Sequence, residues 1–308
     1  MTQGIHHITA IASDAKTCVD FYTKTLGLRL VKKSVNQDDV STYHLFFGDK
    51  LGHPGMDLTF FIFLPPMAGI QGNGLVTTIS FEVPADSFPF WKKRLGASGA
   101  KRISEEERFS RKRIAFTDPD GMQFELVGIA GSQSTDVWTK EITKQHAIRS
   151  FYGASLRMHD VQLIDPVLTR VFGYTQTGKE KNIYEYSVGK SGRAAKLEVV
   201  EDAYASWGQM GAGTVHHIAF RAKDAKEQLV LREKVVALGI SPTEVIDRYY
   251  FKSVYFRTPS KILFEIATDA PGFTADEKES ELGKRLALPP FLEGERNMIE
   301  ANLIPIEY

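Results

Sequence analysis

Two histidine pairs occupy matched places near the two ends of this chain. One lies in His6-His7-Ile8-Thr9-Ala10, the other in His216-His217-Ile218-Ala219-Phe220. Each second histidine stands seven residues before an aspartate, Asp14 or Asp224, that opens a helical pattern. Imidazoles at equivalent points of two repeats point to one metal site built from both ends of the chain. A third donor is offered by the run Leu263-Phe264-Glu265-Ile266-Ala267. A glutamate in the middle of an apolar strand is costly to bury unless it is paired or coordinated. His7, His217 and Glu265 then form a set of two imidazoles and one carboxylate that leaves coordination positions open. Such a set suits non-haem Fe(II) activating dioxygen, and zinc with the same donors is chemically allowed. A lone strand histidine is ordinarily a core residue; repetition at equivalent places is what argues for ligands here.

Strand alternation refines this choice. His7, Thr9 and Ile11 share one face of a regular strand, and His6, Ile8 and Ala10 share the other. The register of the repeat selects His7 and His217, so His6 and His216 should face away from the cavity unless a bulge turns them. Tyr255, on the strand next to that of Glu265, could donate a hydrogen bond to bound oxygen or relay a proton. Arg248, before Tyr249-Tyr250, could stabilise developing negative charge. Glu125 is the equivalent of Glu265 in an inner repeat, but no histidine accompanies it, so a structural hydrogen bond or ion pair is expected there. His44, His53, His146 and His159 have no counterpart in the repeats and read as structural or surface residues. The cluster 108–113 beside Glu105-Glu106-Glu107 reads as a solvated hairpin with local ion pairs.

The elements needed to position these residues repeat four times as a βαβββ unit. Module one has a strand over 5–12, a helix over 15–26 capped by Gly27, and strands over 29–35, 42–47 and 57–64. Module two has strand 75–83, helix 87–95, and strands 101–103, 112–116 and 123–129, with a tight turn at Asp118-Pro119-Asp120-Gly121. Module three is more worn: strand 155–158, helix 166–172, strands 174–177, 182–188 and 196–200. Module four has strand 215–222, helix 225–238, and strands 244–247, 253–257 and 262–268. The predicted class is α+β, with modules paired into two half-barrel domains over 1–135 and 146–270. A tail follows over 271–308, with a short helix in 276–286 ended by Pro289-Pro290 and a final capping run.

Composition removes several function classes. The chain has 308 residues, with 38 Lys plus Arg against 38 Asp plus Glu. No basic field exists to hold a polyanion, so a nucleic-acid partner is not expected. Cys18 is the single cysteine, which rules out an internal disulfide and a thiolate metal cluster. It falls on the apolar stripe of the first helix and reads as an inert core thiol. No apolar run approaches the roughly 20 residues of a membrane span, and no signal-peptide pattern is visible. A cytoplasmic protein with no membrane partner is expected.

The motifs together resemble the vicinal-oxygen-chelate superfamily of glyoxalase I, bleomycin-resistance proteins and extradiol dioxygenases, and within it the branch of ring-cleaving hydroquinone dioxygenases. The resemblance rests on Gly4-Ile5-His6-His7-Ile8-Thr9-Ala10, on Phe21-Tyr22 through Gly27-Leu28-Arg29, and on Thr42-Tyr43-His44-Leu45-Phe46-Phe47-Gly48-Asp49. Val215-His216-His217-Ile218-Ala219-Phe220 and Leu263-Phe264-Glu265-Ile266-Ala267-Thr268-Asp269 extend it over essentially the whole chain. It implies a metal on His7, His217 and Glu265, usually Fe(II) with Mn(II) as the alternative, and supporting or substrate-side roles for Thr9, His6, His216, Arg248 and Tyr255. It also implies a small aromatic substrate, dioxygen as co-substrate and a homo-oligomer. Two rival readings are a glyoxalase-like Ni or Zn isomerase or thiol-transfer enzyme, and a non-catalytic quinone- or drug-binding protein. Isomerases of that kind take four protein ligands, two from each paired module. The late strand of module one, 58–64, carries no carboxylate, which favours three ligands and oxygen chemistry.

Overall fold

Each outer module begins the same way for the same physical reason. In the computed structural model, which describes residues 2–133, 136–189 and 193–306, the aspartates after the histidine strands cap the helices that follow. Asp14 accepts a hydrogen bond from Thr17 N at 2.7 Å and Asp224 one from Glu227 N at 2.8 Å. These satisfy backbone donors that the first helical turn leaves unpaired. Gly27 and Gly239 follow the two helices with φ of +71° and +75°, a region where a side chain is strained. The first helix is regular only over Ala15–Asp20 and continues as a wider π-type turn over Phe21–Thr25. There the adjacent rings of Phe21 and Tyr22 both enter the core. The ends of the expected intervals 1–135 and 271–308, at 1, 134–135 and 307–308, lie outside the described residues.

Sixteen strands appear among the described residues, in two eight-stranded sheets. Module one supplies β1 (Ile5–Ile11), β2 (Arg29–Asn36), β3 (Asp39–Gly48) and β4 (Asp57–Ile62), and module two β5 (Leu75–Pro84), β6 (Lys101–Arg108), β7 (Arg111–Thr117) and β8 (Gln123–Ile129). Module three supplies β9 (Ser150–Met158), β10 (Thr175–Glu180), β11 (Ile183–Ser187) and β12 (Lys196–Glu201), and module four β13 (Thr214–Ala222), β14 (Ile246–Asp247), β15 (Lys252–Arg257) and β16 (Leu263–Thr268). The fold is the α+β pair of curled half-barrels read from the repeats. The intervals 1–135 and 146–270 divide the chain by sequence order, however, and the sheets divide it otherwise. One sheet runs β14-β15-β16-β13-β1-β4-β3-β2 and so joins modules one and four; the other runs β10-β11-β12-β9-β5-β8-β7-β6 and joins modules two and three. β1 and β13 meet antiparallel at the centre of the first sheet. That pairing is what brings residues some 210 positions apart onto adjoining strands.

The tail differs from expectation. Only a short 3-10 turn, Glu279–Glu281, forms within 276–286, and the helix lies beyond the prolines, over Arg296–Asn302. Pro289-Pro290 precedes that helical segment rather than ending one, as fits proline's tolerance of a first turn. The tail lies along the sheet of modules one and four. Ala287 N donates to Lys33 O at 2.8 Å, and the fully buried Lys32 Nζ reaches Asp276 Oδ1 at 2.7 Å and Glu277 Oε2 at 2.5 Å. Strand β6 is longer than 101–103 because it is an exposed, charged edge whose composition hides its pairing with β7.

Candidate metal centre

The central β1–β13 pairing sets the site. Ile5 lies opposite Phe220 and His7 opposite Ala219; further along, Thr9 lies opposite His217 and Ala10 opposite Val215. His6 and His216 are each skipped, so both are the extra residue of a β-bulge. The bulges break the alternation that would have turned these rings away. His6 Nδ1 lies 2.9 Å from His7 Nδ1, and His216 Nδ1 lies 2.8 Å from His217 Nδ1. His6 Nε2 also meets the carbonyl oxygen of Thr268 at 3.2 Å. A carbonyl only accepts, so the His6 proton is on Nε2 and its Nδ1 accepts from His7 Nδ1–H. This leaves the Nε2 lone pair of His7 facing inward, the tautomer a metal ligand needs. Neither His6 nor His216 lines the cavity; both stand behind the ring they hold.

The three residues singled out as ligands converge. Donor atoms of His7, His217 and Glu265 all lie within 4.8 Å of one another, and all three residues are buried. Glu265 Oε2 is 3.1 Å from His7 Nε2 and 3.0 Å from His217 Nε2, and the two nitrogens are 3.3 Å apart. Despite that proximity Oε2 has no hydrogen-bond partner, whereas Oε1 accepts from Ser253 Oγ at 2.5 Å. Two nitrogens and one orphaned carboxylate oxygen facing a common point fit a divalent cation chemically. Without one, electrostatics already hold the cluster in an ionised state. Burial pushes the Glu265 carboxyl up, but the His7 charge and both imidazole contacts take it well below the ordinary value. Burial lowers His7, and Glu265, assisted by Asp57, more than reverses this. His217, which lacks the Asp57 contribution, stays lowered by burial. Burial and the neighbouring imidazole push His6 and His216 down to about 3.

Register explains why module one gives no fourth ligand. Glu265 lies opposite Ala219, two residues after His217; Thr59 lies opposite Thr9, two residues after His7. Thr59 therefore occupies the place equivalent to Glu265. Its hydroxyl donates to Thr9 Oγ at 2.8 Å, and Thr9 Oγ sits 3.0 Å from His217 Nε2. Module one does carry a carboxyl on the strand beside His7: Asp57, fully buried opposite it, with neither oxygen hydrogen-bonded. Burial raises its pKa to about 8. The unfolded carboxyl ionises above about 4 while the folded one keeps its proton to about 8, so Asp57 lowers stability as pH rises through that window. In metal-free protein, Asp57→Asn should flatten the loss of unfolding free energy between pH 5 and 8 by on the order of 3 kcal/mol. Urea titrations across that range measure it, and parallel slopes for variant and parent would refute it.

The cavity above the cluster is lined by His7 and His217, by Phe46, Phe61, Tyr250 and Phe251, by His44, Arg248 and Tyr255, and by residues 34–38 at the end of β2 and the turn that follows it. Arg248 makes a two-pronged ion pair with Asp38 (2.9 and 2.8 Å), and its Nε donates to Tyr255 Oη at 3.3 Å. Of the histidines read as structural, His53 pairs with Asp49, His146 stacks on Phe90 and His159 packs on Trp207. His44 belongs elsewhere. It faces the cavity between Phe46 and Phe61, with ring centroids 3.9 and 4.4 Å away, and its Nε2 is 2.9 Å from Thr59 Oγ. The signal lay in the strand: His44 shares a face with Thr42 and Phe46, yet only the sheet shows which face is inward.

The second sheet carries carboxylates, Glu125 and Glu198, opposite Ser80 and Ser155 of its two central strands. Glu125 and Glu198 face one another, and the fully buried Arg113 bridges them at 2.6 and 2.5 Å. Arg108 adds contacts of 2.7 Å to both. Glu125 is thus ion-paired, but the 108–113 cluster is not simply a solvated hairpin, since Arg113 supplies the cation of an interior network.

Residues 4–126 match the Glyoxalase/Bleomycin resistance protein/Dioxygenase superfamily. The chain is 41% identical over 308 residues to the Bacillus subtilis protein named "Putative ring-cleaving dioxygenase MhqO", covering 99% of this chain and 97% of that one. It belongs to the glyoxalase/bleomycin-resistance/dioxygenase superfamily. It is also 34% identical over 302 residues to the chlorohydroquinone/hydroquinone 1,2-dioxygenase of Sphingobium indicum, covering 95% and 93% of the two chains. A Bacillus subtilis crystal structure described as a "putative dioxygenase" superposes with a TM-score of 0.94 at 40% identity, over 99% of this chain and 98% of that one. Zea mays glyoxalase I, at 15% identity and a TM-score of 0.66 over 86% and 92% of the chains, shares the fold.

Proposed function

We propose that the protein is a ring-cleaving dioxygenase that opens a hydroquinone or closely related phenol with O2, using Fe(II) held by His7, His217 and Glu265, with Mn(II) as the alternative ion. The observation that carries this reading is the three-donor cluster with its unpartnered carboxylate oxygen, whose two imidazoles line an aromatic cavity. Full-length likeness to a hydroquinone dioxygenase supports the substrate class. Thr59 at the place of a fourth ligand supports oxygen chemistry over a four-ligand isomerase.

When bound, the ion supplies one point at which a substrate hydroxyl and dioxygen meet and exchange electrons. The chain supplies the rest. Phe46, Phe61 and Phe251 form apolar walls for a flat ring and exclude water from it. Arg248, fixed by Asp38, sets a positive charge beside the cavity, where it would stabilise negative charge developing on the ring oxygen. Tyr255 accepts from Arg248, which leaves its own hydroxyl proton to be donated. Burial and Glu265 raise its pKa, so it stays a neutral donor. Ser253, His6 and His216 orient the three ligands. Metal-free protein loaded anaerobically with Fe(II) should consume oxygen only when a hydroquinone is present. Oxygen-electrode traces that do not respond to any hydroquinone would sink the assignment.

A further inference from the structure

We infer that Phe273, in the tail just after the last strand, sets how large a ring substituent the cavity admits, by backing the wall formed by Phe46 and Tyr250. The inference rests on the ring-cleavage reading above and deepens it. It assigns substrate choice to a residue outside both the donor set and the cavity lining.

The aromatic walls of the cavity are of two kinds. Phe251 packs on the rings of His6 and His7, with centroids 5.4 and 5.0 Å apart, and Phe61 packs on that of His216 at 5.4 Å. These two walls lean on the residues that hold or orient the donors, so they cannot shift without disturbing the centre. Phe46 and Tyr250 lean elsewhere. The Phe273 ring lies 5.0 Å from that of Phe46 and 5.3 Å from that of Tyr250. With Val31, Phe251 and Leu282 they belong to a small apolar cluster separate from the main core. Two of its members, Phe273 and Leu282, come from the tail.

The backing is itself fixed. Phe273 is buried, and its ring lies against Gly52, where φ is +72° and a Cβ would come within 2.7 Å of it. The backbone at Gly52 therefore stops the ring from receding. The same tail segment brackets Tyr250 at both ends. Gly272 N donates to Tyr250 O at 2.9 Å, and Tyr250 Oη donates to Asp276 Oδ2 at 2.8 Å. Asp276 Oδ1 accepts from the fully buried Lys32 Nζ at 2.7 Å, and that ammonium stands 4.8 Å from the centroid of the Tyr250 ring. The one proton of the Tyr250 hydroxyl is thereby spent on the tail. Tyr250 meets the cavity as a ring face, not as a donor to substrate.

A close-packed second layer leaves the inner rings little room to move. A substituent that reaches Phe46 or Tyr250 must drive them into Phe273, and overpacking of that kind is destabilising. The width of the cavity is thus set from behind. Shortening Phe273 opens space into which the wall can recoil, while every residue that touches substrate or metal keeps its identity.

The test compares hydroquinone with tert-butylhydroquinone. Phe273→Ala should retain the parent's iron content and raise KM for hydroquinone with little change in kcat. It should move the ratio of kcat/KM, tert-butylhydroquinone over hydroquinone, upward by at least about 10-fold. Phe273→Leu keeps an apolar filler should alanine fail to fold, and it should move the ratio the same way by less. The ratio does not depend on the fraction of active protein, so a general loss of structure leaves it unchanged. A parent-like ratio in both variants, or loss of iron from Phe273→Leu, overturns the inference. If the parent cleaves neither phenol, the ring-cleavage reading fails. Calorimetric dissociation constants of the two phenols for metal-free parent and Phe273→Leu then decide the role of the wall by the same ratio, and binding of neither phenol overturns both.

Discussion

Glu265→Gln is expected to abolish stable metal binding and to lower turnover of a hydroquinone by at least about 10³-fold, with the fold retained. The substitution keeps shape and removes charge. In the parent, one carboxylate oxygen faces two imidazole nitrogens at 3.0 and 3.1 Å with no hydrogen bond of its own. An amide placed there offers either a neutral oxygen or an N–H that repels a cation, and the remaining two imidazoles are a weak site for Fe(II). His6→Ala should act more mildly. It leaves all three donors but frees the His7 ring, a loss of outer-shell support that typically weakens metal affinity 10- to 100-fold. Iron content after dialysis against graded chelator, measured with oxygen uptake, tests both. Near-parent iron and turnover in Glu265→Gln would mean that the cluster is not the catalytic centre.

The second large effect concerns stability. Arg113→Met should destabilise the fold by about 3–5 kcal/mol, because it leaves Glu125 and Glu198 buried and facing each other without their cation. Both are deeply buried, and Arg113 is completely so. Arg108, which is more exposed, reaches both carboxylates but cannot neutralise two charges alone. Combining Arg113→Met with Glu125→Gln and Glu198→Gln should restore much of the loss, since the cost lies in the uncompensated charge. Equilibrium urea unfolding measures it. If the single substitution were nearly neutral, water must already reach the cluster, and the network would not be an interior one. Iron binding in the other sheet should be unaffected by the triple variant.

Much of the site could be read from the chain because it repeats. His7 and His217 were singled out by their equal spacing to helix-capping aspartates, and Glu265 by the cost of a carboxylate within an apolar strand. Both signals are local and physical. His6 and His216 were harder. Alternation predicted that they face away, and only the β1–β13 register, which skips both residues, shows them turned in behind their neighbours. His44 and Thr59 carry no sequence signal of comparable strength, since a histidine or threonine in a strand is unremarkable until the inward face is known. The tail helix at Arg296–Asn302 is not legible in the sequence, because two prolines suggest an end where the structure has a beginning.

The sequence alone determined the βαβββ unit, its four copies, the matched imidazoles and the acidic donor, because periodicity, capping and the cost of burial act over a few residues at a time. Which copies share a sheet was decided only by tertiary structure. Module one could have closed on module two, its neighbour in the chain. It hydrogen-bonds instead to module four, through the β1–β13 ladder. Strand pairing is a long-range choice settled by the fit of whole faces, and no short stretch of sequence encodes it. That choice assembles the candidate centre from both ends of the chain, sets Thr59 where a fourth ligand would stand, and leaves the Arg113 guanidinium between two carboxylates in the other sheet.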